Sequence, residues 1–391
     1  MNPTESPDPA NPATQVRRVL QRRRPDRIVY APNYWQWFAH HRNHGLLPQE
    51  IAHCRTQLDL IRHLGLDVFS RNVYCDQSHC WFGGLADETW DGVEVCEEVR
   101  LEGFDRVITR TYHTLCGNLT ERQRHVFADS TLVQEKFALE GVEDPLAALE
   151  ELVKARRWKF SADRYAREQE LVGDDGIVVA GELFSPLKAL HLLAGAVETT
   201  YLIADEEERV SELLAVHEAA QLDLVRQIAA AGVPAMMAMD NLDAAFHTPE
   251  YLDKFSASFY EQAGRIAREH GSTFWIHACG RQRINLRRIE ALGVDGLEGV
   301  AFPPLGDVQL DDVMGLTSER FLITGGISAI ETEKFQSADE VRRYVAGLFE
   351  RMLPYSHRFM LAASCNTSIR TPWKVIEWFR DAWRECNGTV N

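Results

Sequence analysis

The stretch Thr273-Phe274-Trp275-Ile276-His277-Ala278-Cys279-Gly280 decides how this chain is read. An apolar, strand-favouring run ends on a histidine and a cysteine two positions apart, and alternation along a strand places both side chains on one face. A second apolar run, Phe359-Met360-Leu361-Ala362-Ala363, leads through Ser364 to a lone Cys365. If the two strands lie close together, His277, Cys279 and Cys365 form a His-Cys-Cys set. Three protein ligands with an open fourth position is the arrangement of a catalytic zinc rather than a structural one. Ala278, Gly280, Ala363 and Ser364 are small and leave room for an ion. The bland alternative is a buried histidine and two inert thiols that never meet, since free cysteine is among the most buried residue types.

Outward from that stretch, short apolar runs alternate with amphipathic segments. Strands are expected near 27–31, 68–71, 176–181, 235–239, 273–279, 296–300, 321–325 and 359–364. Helical periodicity covers 48–64, 162–172, 206–231, 249–270, 282–292, 338–352 and 372–386. Eight strands alternating with helices predict an α/β protein, a (β/α)8 TIM barrel with right-handed crossovers. The rival, an open doubly wound sheet, normally shows a glycine-rich phosphate turn after an early strand, and none is present. From about Trp90 to Arg122, alternating residues flank Gly103 and read as a β-hairpin, placed in a cap insertion over 84–125 after the second strand. Residues 1–20 read as a disordered lead-in, most clearly the Pro- and Asn-rich Met1 to Thr14, and the single barrel domain spans 21–391.

The 391 residues carry 42 Lys and Arg against 58 Asp and Glu, a formal charge of −16, which disfavours nucleic acid or an anionic membrane as partner. No run approaches the roughly 20 apolar residues of a membrane span, and no signal peptide is recognisable, so a cytoplasmic protein is expected. Its 8 cysteines follow no small-scaffold spacing and read as free thiols and metal ligands.

From about Asp240 to Cys365 the chain resembles the uroporphyrinogen decarboxylase superfamily, in particular its zinc-dependent methyltransferase branch. That branch includes coenzyme M methyltransferases and corrinoid-dependent O-demethylases. The resemblance rests on Asp240-Asn241-Leu242, Thr248-Pro249-Glu250-Tyr251, His277-x-Cys279-Gly280, Gly293-Val294-Asp295-Gly296-Leu297-Glu298, Thr324-Gly325-Gly326-Ile327 and Cys365 followed by Thr371-Pro372. Weaker similarity extends through His113-Thr114-Leu115-Cys116-Gly117-Asn118-Leu119 to Arg24-Pro25-Asp26-Arg27. It implies zinc on His277, Cys279 and Cys365, a methyl-carrying corrinoid (cobalamin) as second cofactor, and a possible homodimer. The chain has no Asp-x-His-x-x-Gly loop of the kind that ligates cobalt, so the corrinoid is expected on a separate partner protein.

A zinc with two thiolates and one imidazole suits two tasks: holding a substrate thiol as its thiolate, or polarising a methyl-ether oxygen. The aromatic loops favour the second, demethylation of a small methoxylated aromatic substrate. Tyr34, Trp35 and Trp37 (with Phe38), Tyr74, His79 and Trp81 (with Phe82), and Asn241 are the candidate substrate-binding residues. Core packing would explain the aromatics equally well. Asp240, Glu298 and Glu182 follow or end predicted strands and are the candidate catalytic carboxylates, as acid or as orienting groups. The alternatives are a methylcorrinoid:thiol methyltransferase, a decarboxylase, and a non-catalytic zinc-binding barrel. The decarboxylase reading is weakened because the early loop here is aromatic where that enzyme resembles an arginine-bearing one. Cys75 with His79 and Cys80, the trio His40, His41 and His44, and Gly325-Gly326 match no strong ligand pattern and read as packing, a solvated face and a tight turn.

Overall fold

Each apolar run picked out above forms a strand, because a buried parallel strand is apolar on both faces and needs no alternation. The computed structural model describes residues 11–71 and 84–388. Helix α1 (Pro12–Leu20) leads to β1 (Val29–Tyr30), α2 (Trp35–Asn43), α3 (Gln57–Leu64) and β2 (Val68–Ser70). Then come β3 (Ala86–Trp90), β4 (Glu94–Glu102), β5 (Asp105–Thr114), β6 (Gly117–His125), β7 (Leu132–Lys136), α4 (Pro145–Ala155) and β8 (Arg156–Phe160). The repeating unit resumes with α5 (Ala162–Val172), β9 (Gly176–Val178), β10 (Ala180–Leu183), α6 (Pro186–Ala230) and β11 (Ala235–Ala238). It continues through α7 (Pro249–Phe255), α8 (Ala257–Glu269), β12 (Thr273–His277), α9 (Leu286–Ala291) and β13 (Gly296–Glu298). The last elements are α10 (Leu310–Leu316), β14 (Leu322–Ile327), α11 (Ala338–Met352), β15 (Phe359–Ala363) and α12 (Trp373–Gly388).

Seven strands form one parallel sheet in the order β1-β15-β14-β13-β12-β11-β10. β2 pairs in parallel with β9, which continues across Val179 into β10. The amide of Asp67, just before β2, donates to the Tyr30 carbonyl of β1 at 3.0 Å. The result is a TIM-barrel-like α/β arrangement with the strand positions the sequence predicts. Among the described residues, no helix is long and apolar enough to cross a membrane.

The inner face of the strands is read off by twos. Val29 and Ala31, Ile177 and Val179, Ala235, Met237 and Met239, with Trp275, Leu322 and Met360, share one buried cluster. Val16, Val19 and Leu20 of α1 belong to the same cluster, so that helix closes the floor of this core. This corrects the expected lead-in over its second half, where Asn11 caps a helix at 12–20 whose apolar face is buried; residues 1–10 lie outside the described residues. Continuing the alternation past Phe69, Trp275 and Gly296 brings Arg71, His277 and Glu298 to the upper layer of the same face.

The insertion is larger than the hairpin expected over 84–125. The hairpin around Gly103 exists as β4 and β5, but β6 and β7 extend it to a four-stranded antiparallel sheet, and β3 pairs with β8 as its stem. A second core forms where Tyr112, Leu119, Leu149 and Leu152 meet Leu187, Leu190, Leu193 and Leu213 of α6. Helix α6 runs 45 residues, longer than the expected 206–231, with breaks at Gly195 and Glu206. Gly195 has φ +79°, and a Cβ there would come within 2.8 Å of the Phe137 ring, so glycine permits both the bend and the contact. The expected helix over 249–270 splits at Ser256 into α7 and α8.

Deleting residues 1–20 should expose the apolar floor lined by Trp275 and Met360. Losing three buried aliphatic side chains, at about 1.5–3 kcal/mol each, predicts destabilisation on the order of 4 kcal/mol or more by urea unfolding. An unchanged midpoint would contradict the role given to α1.

Candidate metal centre

β12 carries His277 at its last position, and the chain then turns through Ala278 and Cys279 to Gly280. Gly280 has φ +93°, and a Cβ there would meet the Asp243 carboxylate at 2.5 Å. Cys365 follows β15 by two residues, with Ser364 N anchored to the Ile327 carbonyl at 2.8 Å. β12 and β15 are not neighbours, since β13 and β14 lie between them. Curvature of the sheet nevertheless brings their ends together around Gly299. A Cβ at Gly299 would sit 3.2 Å from the His277 ring and 3.1 Å from the Ser364 carbonyl, so only glycine leaves the imidazole its place.

Three ligand atoms converge there. Cys279 Sγ lies 2.8 Å from His277 Nε2 and 3.2 Å from Cys365 Sγ, and Cys365 Sγ lies 3.9 Å from His277 Nε2. Tetrahedral zinc with bonds of about 2.3 Å to sulfur and about 2.0–2.1 Å to nitrogen requires ligand atoms roughly 3.5–3.8 Å apart. Small side-chain adjustments meet that requirement, and the donor set of two sulfurs and one imidazole suits zinc. Among the described residues this is the one such group, and no fourth His, Cys, Asp or Glu joins it.

The imidazole is held from behind. Glu298 accepts a hydrogen bond from His277 Nδ1, which turns Nε2 toward the thiols. Arg71 Nη1 donates in turn to Glu298 Oε2 at 3.3 Å. The Arg71 stem crosses Gly181, where a Cβ would lie 2.8 Å from it. Burial opposes a charge on Glu298, yet its carboxyl is ionised. The His277 and Arg71 charges hold the Glu298 carboxyl down at about 2 against burial, and against the same burial Glu298 lifts His277 to about 9. The two thiols share a proton: Cys279 donates to Cys365, which lowers the Cys365 thiol well below its usual range and raises that of Cys279, with burial adding to the rise.

The other nominated residues are distributed unevenly. Asp240 is fully buried, and its oxygens accept from Ser185 N at 2.9 Å and from the Tyr260 hydroxyl. Asn241 lies beside the centre in a left-handed conformation (φ +50°), its amide bonded to the His277 carbonyl at 3.0 Å. Glu182 faces Leu85 N at 2.7 Å and feels Glu168 and Arg164 of α5. Tyr34, Trp35 and Trp37 belong to the main hydrophobic core. Trp37 stacks on His41 and donates from Nε1 to the Thr371 carbonyl at 2.8 Å, while the Tyr34 hydroxyl lies 3.2 Å from that of Tyr30. Packing therefore accounts for these three rings. Tyr74, His79 and Trp81 lie outside the described residues. His40 and His41 sit on α2 and His44 is its C-cap residue, and none of the three belongs to the metal group. The sequence reading missed Arg71, and also Lys188, His191 and His247, which gather beside Asp240. His247 abuts the family-like Thr248-Pro249 and was the one signal available.

The sequence profile described as uroporphyrinogen decarboxylase (URO-D) matches residues 144–386. The chain belongs to the uroporphyrinogen decarboxylase family. Among solved structures, a methyltransferase from Methanosarcina mazei aligns over 96% of this chain and 98% of its own, with TM-score 0.58 and 15% identity. At that identity the likeness shows the fold of this URO-D family member. A mandelate racemase/muconate lactonizing enzyme-like protein from Rubrobacter xylanophilus aligns over 76% of this chain and 84% of its own, at TM-score 0.25 and 12% identity, too remote to inform the fold. No curated protein matches the chain.

Burial lifts the Glu182 carboxyl from 4.5 to about 8, so the folded chain holds a proton there that the unfolded chain releases. Stability then falls as pH rises between those two values. Glu182→Gln, neutral throughout, should flatten that slope, with its Tm gaining on the wild type from pH 5 to pH 9. Parallel Tm curves would contradict the assignment.

Proposed function

We propose that this chain is a zinc-dependent methyltransferase, acting on a small methylated substrate with a corrinoid carried by a separate protein. The single observation that carries the reading is the convergence of His277, Cys279 and Cys365 at the strand ends, where barrel enzymes place their chemistry. Zinc bound there would act as a soft Lewis acid, polarising a methyl-ether oxygen or keeping a substrate thiol ionised. Of the two directions, we carry forward demethylation of a methoxylated aromatic compound. Support for an aromatic ligand is narrower than the sequence suggested, because Tyr34 and Trp37 are core residues. Phe246, 51% exposed beside His191 at a ring separation of 6.3 Å, is an aromatic surface near the centre.

The chain's own residues have defined tasks in this reading. Glu298 fixes the tautomer of His277 and Arg71 keeps Glu298 charged; both act by positioning. Asp240 anchors the start of α6 through Ser185 and does not reach out to a ligand. The insertion serves as the cap. Its β6–β7 turn bonds α2, the helix leaving the upper end of β1, through Gln36 Nε2 to Thr131 Oγ1 and Asn43 Nδ2 to the Phe127 carbonyl, both at 3.3 Å.

Metal analysis should find about one zinc per wild-type chain and a large loss in Cys279→Ala and Cys365→Ala. The zinc-loaded wild type should transfer methyl groups from methoxylated aromatics to free cob(I)alamin, and both variants should fall by at least about 100-fold. Metal-independent turnover, or release of carbon dioxide from a carboxylated porphyrinogen in place of methyl transfer, would reject the proposal.

A further inference from the structure

One cation beside the metal centre makes no direct ion pair among the described residues. Lys188 stands in the first turn of α6, its amide capped by Ser185 Oγ at 3.3 Å, and Ser185 N is tied to Asp240. The ammonium is close enough for its charge to act on Asp240, Cys279, His191 and His247. Yet among the described residues it forms no ion pair or hydrogen bond, and Asp240 already accepts from Ser185 and Tyr260. Lys188 is half-buried, and burial lowers its pKa, so the ammonium would gain from an anion that replaces the water it has lost.

One neighbouring ring atom is also unused. His247 is 1% exposed, and its Nδ1 has no hydrogen-bond partner among the described residues. The His191 ring meets it edge-on, with centroids 5.5 Å apart. Burial, reinforced by Lys188, pushes His191 down to about 4 and His247 down to about 3, so both rings are neutral near pH 7. One positive charge is thus flanked by two uncharged imidazoles, of which His247 has its N–H engaged with the Asp240 backbone. A cationic ligand would be repelled, and a neutral one would leave the ammonium unanswered.

Resting on the function proposed above, we infer that Lys188, with His247 and His191, forms a subsite for a carboxylate-type oxyanion on the molecule that approaches the metal centre. Phe246 lies against the aromatic part of that molecule. The anion belongs either to the methyl ether or to an acceptor thiol, since both would approach the same metal.

Calorimetric binding to the zinc-loaded full-length protein separates these cases. In the first arm, 4-methoxybenzoate should bind at least about 10-fold more tightly than 4-methoxybenzamide. In the second, 3-mercaptopropionate is compared with 3-mercaptopropanol, and the arm showing the charge preference identifies which reactant bears the anion. Lys188→Met should weaken the charged ligand by about 10- to 100-fold, leave the amide or alcohol within about 2-fold, and retain zinc. Lys188→Arg should restore most of the charged ligand's affinity. Absence of a charge preference in both arms, or equal loss of charged and neutral ligands in Lys188→Met at full zinc content, would overturn the subsite. Because the readout is binding, failed methyl transfer with intact charge discrimination would sink the proposed reaction alone.

Discussion

Everything at the proposed centre depends on one buried carboxylate. Glu298 occupies the upper inner layer of the strands, accepts from His277 Nδ1, and is itself met by Arg71. A histidine has two ring nitrogens, and only the one left free by its hydrogen bond can serve a metal. Glu298 makes that choice. Its charge is tolerable in the interior because two cations answer it, since a buried ion stripped of its partner costs several kcal/mol. Glycine completes the arrangement from the backbone side: Gly181 lets the Arg71 stem cross, and Gly299 lets the imidazole stand.

The surrounding fold keeps this geometry stiff. Below the charged layer lie Trp275, Met237, Leu322 and Met360, and below them the apolar face of α1. On one side, Asp240 binds Ser185 and Tyr260 and so fixes where α6 starts relative to β11 and α8. That anchoring also sets where Lys188 projects. A carboxylate nominated for chemistry thus acts as the joint between the metal centre and the proposed anion subsite.

Much of this was legible in the sequence, for a physical reason. Parallel strands buried on both faces leave unbroken apolar runs, so all eight strand positions and the helices over 162–172 and 338–352 could be read directly. The His277 and Cys279 pair was legible because two residues on one strand share a face. Cys365 was nominated on the condition that its strand lies near β12 in the same sheet, and curvature around Gly299 meets that condition across two intervening strands. What spacing cannot reveal is the reach of a long side chain. Arg71 looks like the end of a short strand, and nothing local says that it spans to Glu298. Aromatic density in the first loop likewise carries no information about direction, and Tyr34 and Trp37 turned inward. The insertion was underestimated because its strands, polar on their outer faces, lack the apolar signature of the barrel strands.

X-ray absorption at the zinc edge of the metal-loaded protein tests the central claim most directly. The account predicts two sulfur ligands at about 2.3 Å and two nitrogen or oxygen ligands at about 2.0–2.1 Å, one of them from His277. A shell with no sulfur, or one with three or more sulfurs, would contradict the convergence of His277, Cys279 and Cys365 on a single ion with one position open.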